Sequence, residues 1–104
     1  MTLPVARMLD LSTVDPCGAP PRPNTEGSGN VFVNNIPVHL MGMLWAKHAC
    51  PGSSPHPSPP FVFDSTVSGS SSVFVNGIPL ARMTDPISCG SVIGAGSGNV
   101  FAGG

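Results

Sequence analysis

Val73–Met83 reads VFVNGIPLARM. Val73, Phe74 and Val75 favour extended backbone. Asn76-Gly77 is the pair that suits a two-residue type I′ hairpin turn, because both central residues of that turn need a positive φ. Ile78, Leu80 and Arg82 alternate along an answering strand, with Pro79 at a place suited to a strand start or an edge. The text recurs as VFVNNIPVHLM at Val31–Met41, identical at seven of eleven positions. A third copy is divided between the chain ends. Leu3-Pro4-Val5-Ala6-Arg7-Met8 matches Ile78-Pro79-Leu80-Ala81-Arg82-Met83, and Gly96-Ser97-Gly98-Asn99-Val100-Phe101 repeats Gly27-Ser28-Gly29-Asn30-Val31-Phe32. Repeats of this kind decide an architecture. The expectation is an all-β fold, a small cone of three pseudo-threefold β-hairpin repeats, the third closed by the two termini pairing.

The composition narrows the function classes. A length of 104 residues predicts one domain over residues 1–104. Charged residues make up 9% of the chain, against about 25% in ordinary domains. The net charge of −1 supplies no basic patch, which speaks against nucleic acid as a partner. No apolar run reaches the ~18 residues of a membrane span. The N-terminus lacks the basic-then-apolar pattern of a secretory signal, so the chain is expected to start in the cytoplasm. Three cysteines in a reducing compartment favour free thiols or metal ligands over disulfides. Gly and Pro number thirteen each, and so small a core calls for a staple. With disulfides disfavoured, a metal is the natural one.

Three long connections leave the Met end of one repeat and return at the Gly-Ser start of the next, opposite the hairpin turns. Cys17 lies in the first, His48, Cys50 and His56 in the second, and Cys89 in the third. Thiolate and imidazole brought together by converging loops suit tetrahedral zinc. A helical turn is predicted over Met43–His48, where no proline intervenes, and a short strand over Phe61–Phe63. Asp10 and Asp85 recur at strand exits as turn-capping carboxylates, with Arg7 and Arg82 as partners for those carboxylates or for backbone carbonyls. His39 falls mid-strand, where the other repeats have Ala6 and Ala81, and reads as structural. Trp45, Met41 and Met43 read as cover for the core. No serine sits in a nucleophile-elbow context, and a zinc with four protein ligands has no open position, so the chain does not read as an enzyme.

The strand–Asn-Gly–strand unit, Ala81-Arg82-Met83 followed by Asp85, the segment Asp85-Pro86-Ile87-Ser88-Cys89-Gly90 and the repeated Gly-Ser-x-x-Val-Phe together resemble PAAR-repeat proteins. These are the spike-tip caps of type VI secretion systems and contractile phage tails. The resemblance covers nearly the whole chain. It implies a structural tip that caps and sharpens a trimeric β-helical spike, one copy per trimer, for membrane piercing and cargo delivery. It also implies a structural zinc, commonly held by three histidines and one cysteine. Carried onto this chain, Cys89 takes the cysteine place and His48 and His56 two histidine places. Cys17 stands where the third histidine is usual, with Cys50 or His39 as the alternatives. Residues Val33, Ile36, Val75 and Ile78, flanking the covalent turns, are the expected contact with the spike. A target membrane would be touched only transiently, effector cargo is a possible passenger, and contraction would carry the tip out of the cell. Larger members carry effector domains; this chain reads as a bare tip. The competing readings are a small zinc-binding interaction module and a zinc hydrolase with water as the fourth ligand at His48, His56 and Cys89.

Overall fold

The structure, a computed structural model, describes residues 2–14, 20–46, 48–49, 55–56, 64–88 and 90–104, with 48, 49, 55 and 56 described by their backbone alone. Among these residues the regular elements are β1 (Leu3–Pro4), β2 (Phe32–Val33), β3 (Ile36–Pro37), β4 (His48–Ala49), β5 (Pro55–His56), β6 (Phe74–Val75), β7 (Ile78–Pro79) and β8 (Phe101–Ala102). The expected strand Phe61–Phe63 lies outside the described residues. The fold is all-β.

Strand β2 pairs with β3, and β6 with β7, both antiparallel; Phe32 faces Pro37 and Phe74 faces Pro79. Asn34 and Asn35 have φ of 56° and 62°, and Asn76 and Gly77 have 53° and 80°, as a type I′ turn demands. The termini make the third hairpin. Strand β1 pairs with β8, Pro4 facing Phe101 and Leu3 facing Ala102. No covalent turn joins them.

A two-residue hairpin is not stable alone. Here each hairpin is completed by its neighbour around the axis. The Ala6 N–H donates to the Ala81 carbonyl, the Ala81 N–H to His39 and the His39 N–H to Ala6, each at 3.0 Å. A second ring runs outside it, from Met8 to Pro37 (2.7 Å), Met41 to Pro79 (3.0 Å) and Met83 to Pro4 (2.8 Å). These two closed cycles are the pseudo-threefold axis expressed in backbone hydrogen bonds, and they leave these strands no free edge.

The Gly-Ser pairs have a specific task. The Oγ atoms of Ser28, Ser70 and Ser97 accept from the backbone N–H groups two and three residues ahead, at 2.9–3.2 Å, and so turn the chain into each first strand. The preceding glycines press against the prolines of the answering strands. A Cβ on Gly27, Gly69 or Gly96 would lie 2.7, 2.9 or 3.0 Å from the Cβ of Pro37, Pro79 or Pro4.

The core is layered along the axis of an elongated body, 38 × 23 × 22 Å. Val5, Val38 and Leu80, at one repeat position, are buried with Leu40, Val75 and Ala102. Next come Ala6, His39 and Ala81, all fully buried. Two alanines face one histidine, so the layer fills without strict symmetry. Trp45, Ile87 and Ile93 form a further buried group with the two alanines.

The described residues of Met43–His48 are not helical. Leu44 and Trp45 lie in β-bridges to Ser65 and Asn24, and His48 begins β4. The Trp45 N–H donates to Asp64 (2.8 Å), the Ala46 N–H to Pro23 (3.1 Å), and the Leu44 carbonyl accepts from Thr25 (2.9 Å). Tertiary ladders on both sides claim the backbone that a helix would use, and they override local propensity. Trp45 is core and Met43 packs against the core, but Met41 is 36% exposed and does not cover it.

Candidate functional site

Two arginine–aspartate clamps fix the strand exits. Arg82 donates to Asp85 through its backbone N–H (2.8 Å), Nε (3.2 Å) and Nη2 (3.0 Å), and Arg7 holds Asp10 in the same way at 2.8, 3.0 and 3.1 Å. Each carboxylate caps the turn that its own arginine enters, as expected from the sequence. The arginines then reach the hairpins: Arg7 Nη1 donates to Asn34 Oδ1 (3.2 Å) and Arg82 Nη1 to the Gly103 carbonyl (3.0 Å). In the second repeat Leu40 and Met43 take these places and pack apolar surface instead.

The hairpin half exposes a matched set of apolar side chains. Phe32, Phe74 and Phe101 occupy one repeat position and are 54%, 54% and 52% exposed. Of the four residues named from the sequence, Ile78 is exposed, Val33 and Ile36 are half-buried, and Val75 is 8% exposed and belongs to the core. The phenylalanines escaped the sequence reading because alternation separates two faces of a strand without saying which one is inside. Their recurrence at one position of all three repeats was the available signal.

At the opposite half, the stems of the three ligand-bearing loops pair with one another. Ser12 bridges to Ile93, Asn24 to Trp45 and Thr66 to Ile87. Asp64, 2% exposed, accepts a hydrogen bond from Arg22 Nη2 at 3.1 Å and from Ser88 Oγ at 3.3 Å. Arg22 is itself buried, with Nη1 3.3 Å from Ser12 Oγ and its guanidinium 6.0 Å from the Trp45 ring centroid. Strand β4 pairs with β5, and His48 stands directly opposite His56. Cys17, Cys50 and Cys89 lie outside the described residues. Among the described residues, no three His, Cys, Asp or Glu side chains gather as a metal site.

A family model described as the PAAR motif matches residues 25–95. The chain belongs to the PAAR-motif family. The match takes in both covalent hairpins of the PAAR fold and two of its three long loops. The chain is also 36% identical over 78 residues, 72% of its own length, to the Double-stranded DNA deaminase toxin A of Burkholderia cenocepacia (strain H111). The aligned part is 5% of that toxin's length. Family membership associates this PAAR chain with the spike tip in general, in a structural role.

The backbone register brings two of the expected metal-ligand positions, His48 and His56, onto one rung. Residues facing each other across an antiparallel pair have Cα atoms about 4.5–5.5 Å apart. Two imidazole-bearing positions on one rung therefore suit a single small ion with Zn–N bonds of about 2.0 Å.

His39 is engaged elsewhere. Its Nδ1 lies 2.8 Å from the Glu26 carbonyl oxygen, which only accepts, so Nδ1 carries the hydrogen. Its Nε2 lies 2.8 Å from Thr66 Oγ1, which also accepts from Trp45 Nε1 at 2.8 Å. In the neutral ring the Thr66 hydroxyl donates to Nε2 and every group is satisfied. In the protonated ring Nε2 and Trp45 both donate to Oγ1, and the Thr66 hydrogen loses its acceptor. Burial pushes the His39 pKa below 6.5, against the raising influence of the Glu26 carbonyl and the Glu26 and Asp10 carboxylates. The unfolded chain therefore takes the proton first. Folding stability should be level above about pH 6.5, fall as the pH drops through that value, and stop falling below the folded-state pKa. Urea unfolding between pH 7.5 and 5 checks this, with His39→Gln expected to remove that part of the slope. A His39 ring resonance titrating at or above the ordinary histidine value contradicts it.

Proposed function

We propose that this PAAR protein is the structural tip of a contractile injection machine. It caps and sharpens a trimeric β-helical spike, one copy per trimer. The observation that supports this reading most is the closed cycle Ala6–Ala81–His39, with the matched triad Phe32, Phe74 and Phe101 outside it. A monomer with three near-equivalent hairpins can meet three identical spike chains in the same way on each side. The contact consists of the three phenylalanines with Ile78, Val33 and Ile36, while Val75 holds the core beneath them.

At the other end, His48, His56, Cys89 and Cys17 hold a zinc ion, with Cys50 as the alternative to Cys17. His39 is set aside as a ligand, because both of its ring nitrogens hydrogen-bond within the protein. Bound zinc would supply a tetrahedral cross-link between loops. The chain's own residues provide stiffness: the Arg–Asp clamps fix the strand exits, the prolines fix φ, and the Gly-Ser turns lock the hairpins together. The tip is built in the cytoplasm, leaves on the spike when the machine contracts, pierces the target membrane and accompanies effector cargo. Mixing the protein with the spike trimer from the same genome and weighing the complex by native mass spectrometry tests the reading.

A further inference from the structure

The stems of the three ligand-bearing loops are joined at one buried carboxylate. Asp64 belongs to the second loop, eight residues after His56. Its Oδ2 accepts from Arg22 Nη2 at 3.1 Å, and Arg22 lies on the first loop, five residues after Cys17. Its Oδ1 accepts from Ser88 Oγ at 3.3 Å, and Ser88 immediately precedes Cys89 on the third loop. The Ser88 Oγ also accepts from the Ser65 N–H at 3.1 Å, and the Ser88 N–H donates to the Ser65 carbonyl at 2.9 Å. The Asp64 carbonyl takes the Trp45 N–H at 2.8 Å, which holds the descending limb of the second loop against its ascending limb. One carboxylate thus gathers all three segments that carry the candidate ligands.

We infer that Asp64 is a positioning residue for the metal centre, working through Arg22 and Ser88, and that it sets metal affinity by holding the three loop stems at fixed separation. The inference rests on the zinc reading above. Its physical basis is the entropy of assembling ligands from three separate segments. A metal that must also gather mobile loops binds more weakly than one that meets loops already tied together. A buried carboxylate is also costly without donors, and Arg22 and Ser88, which donate to this one, belong to the two other loops. The Arg22 guanidinium that donates to the carboxylate lies 6.0 Å from the Trp45 ring centroid, and Trp45 belongs to a buried apolar group, so the tie anchors the loop stems to the core.

The test separates affinity from stability. Ser88→Ala removes the carboxylate's own tie to the third loop, leaves the backbone bridge between the two stems, and keeps the buried ion pair. Asp64→Asn weakens both ties with little change of shape. For each variant, zinc affinity is measured by competition with a chelator, Co(II) absorption reports tetrahedral geometry, and melting of the metal-free protein reports the fold. Outer ligand-orienting contacts are worth about 10–100-fold in metal affinity. The expected loss is about tenfold for Ser88→Ala and more for Asp64→Asn. The metal-free Tm of Ser88→Ala should match the parent, and its Co(II) d–d bands should broaden or weaken. Unchanged affinity and spectra in both variants, with the parent loaded, overturn the positioning role and leave the zinc reading standing. Loss of metal-free stability in Ser88→Ala in proportion to the lost affinity also overturns it, because the tie would then serve the fold alone. A parent chain that takes up no zinc or cobalt defeats the zinc reading itself, and this inference with it.

Discussion

Replacing Phe32, Phe74 and Phe101 together with threonine is expected to weaken binding to the spike trimer by about two orders of magnitude and to leave the fold intact. Full burial of a phenylalanine contributes about 1.5–3 kcal/mol, and these rings are already about half covered, at 54%, 54% and 52% exposure. About 1 kcal/mol each remains to be gained on docking, and every 1.4 kcal/mol is roughly tenfold in affinity. Threonine keeps the β preference of the strands, and exposed substitutions of this kind change stability by roughly half a kcal/mol each. Val75→Thr should do the reverse. It places a hydroxyl in the core cluster with Val5, Val38, Leu40, Leu80 and Ala102, lowering Tm with no direct loss of contact. Titration of each variant onto immobilised spike, together with a melting curve, reads both effects. Wild-type affinity in the triple variant would remove the phenylalanines from the contact.

The double substitution His48→Ala with Cys89→Ala is expected to remove bound zinc and most of the thermal stability that it lends. A ligand present at a thousand times its Kd stabilises by about 4 kcal/mol. For a domain near 100 residues, each kcal/mol moves Tm by about 4–8 °C. A fall of roughly 15–30 °C should follow. A chelator should lower the Tm of the parent chain by a similar amount and leave the double variant unmoved. Metal analysis of the purified chains gives the stoichiometry directly. Full zinc content in the double variant would exclude this ligand set.

The hairpins were legible because their signals are local. Asn-Gly and Asn-Asn need only their own φ values, and the repeated text carried register from one copy to the next. The closure of the third hairpin was legible too, since the two half-copies at the chain ends fit only each other. What escaped depends on contacts between repeats. Trp45 sits in a stretch that tolerates helix, but its neighbours in space, Asn24 and Asp64, take its backbone into bridges. Phe32 and its equivalents look like core residues by type, and only the packing of Val31, Val33, Val73 and Val75 on the other face shows that they are not. Asp64 stood outside the quoted repeats. Yet aligning the returning strands puts Arg22, Asp64 and Ser91 at one position, so an arginine against an aspartate there was a readable hint of the loop tie. Cys17, Cys50 and Cys89 lie outside the described residues, while His48 and His56 face each other across β4 and β5.

The mass of the complex formed with the spike bears most directly on the capping role. A pseudo-threefold chain can occupy a true threefold end only once, because its three hairpins already fill the three equivalent places. With excess PAAR protein over spike trimer, native mass spectrometry should give one cap for every three spike chains, and no heavier species as the excess rises. A complex with three caps on three spike chains would mean that each copy uses one hairpin alone and would contradict capping, as would the absence of any complex with the trimeric spikes of the same genome.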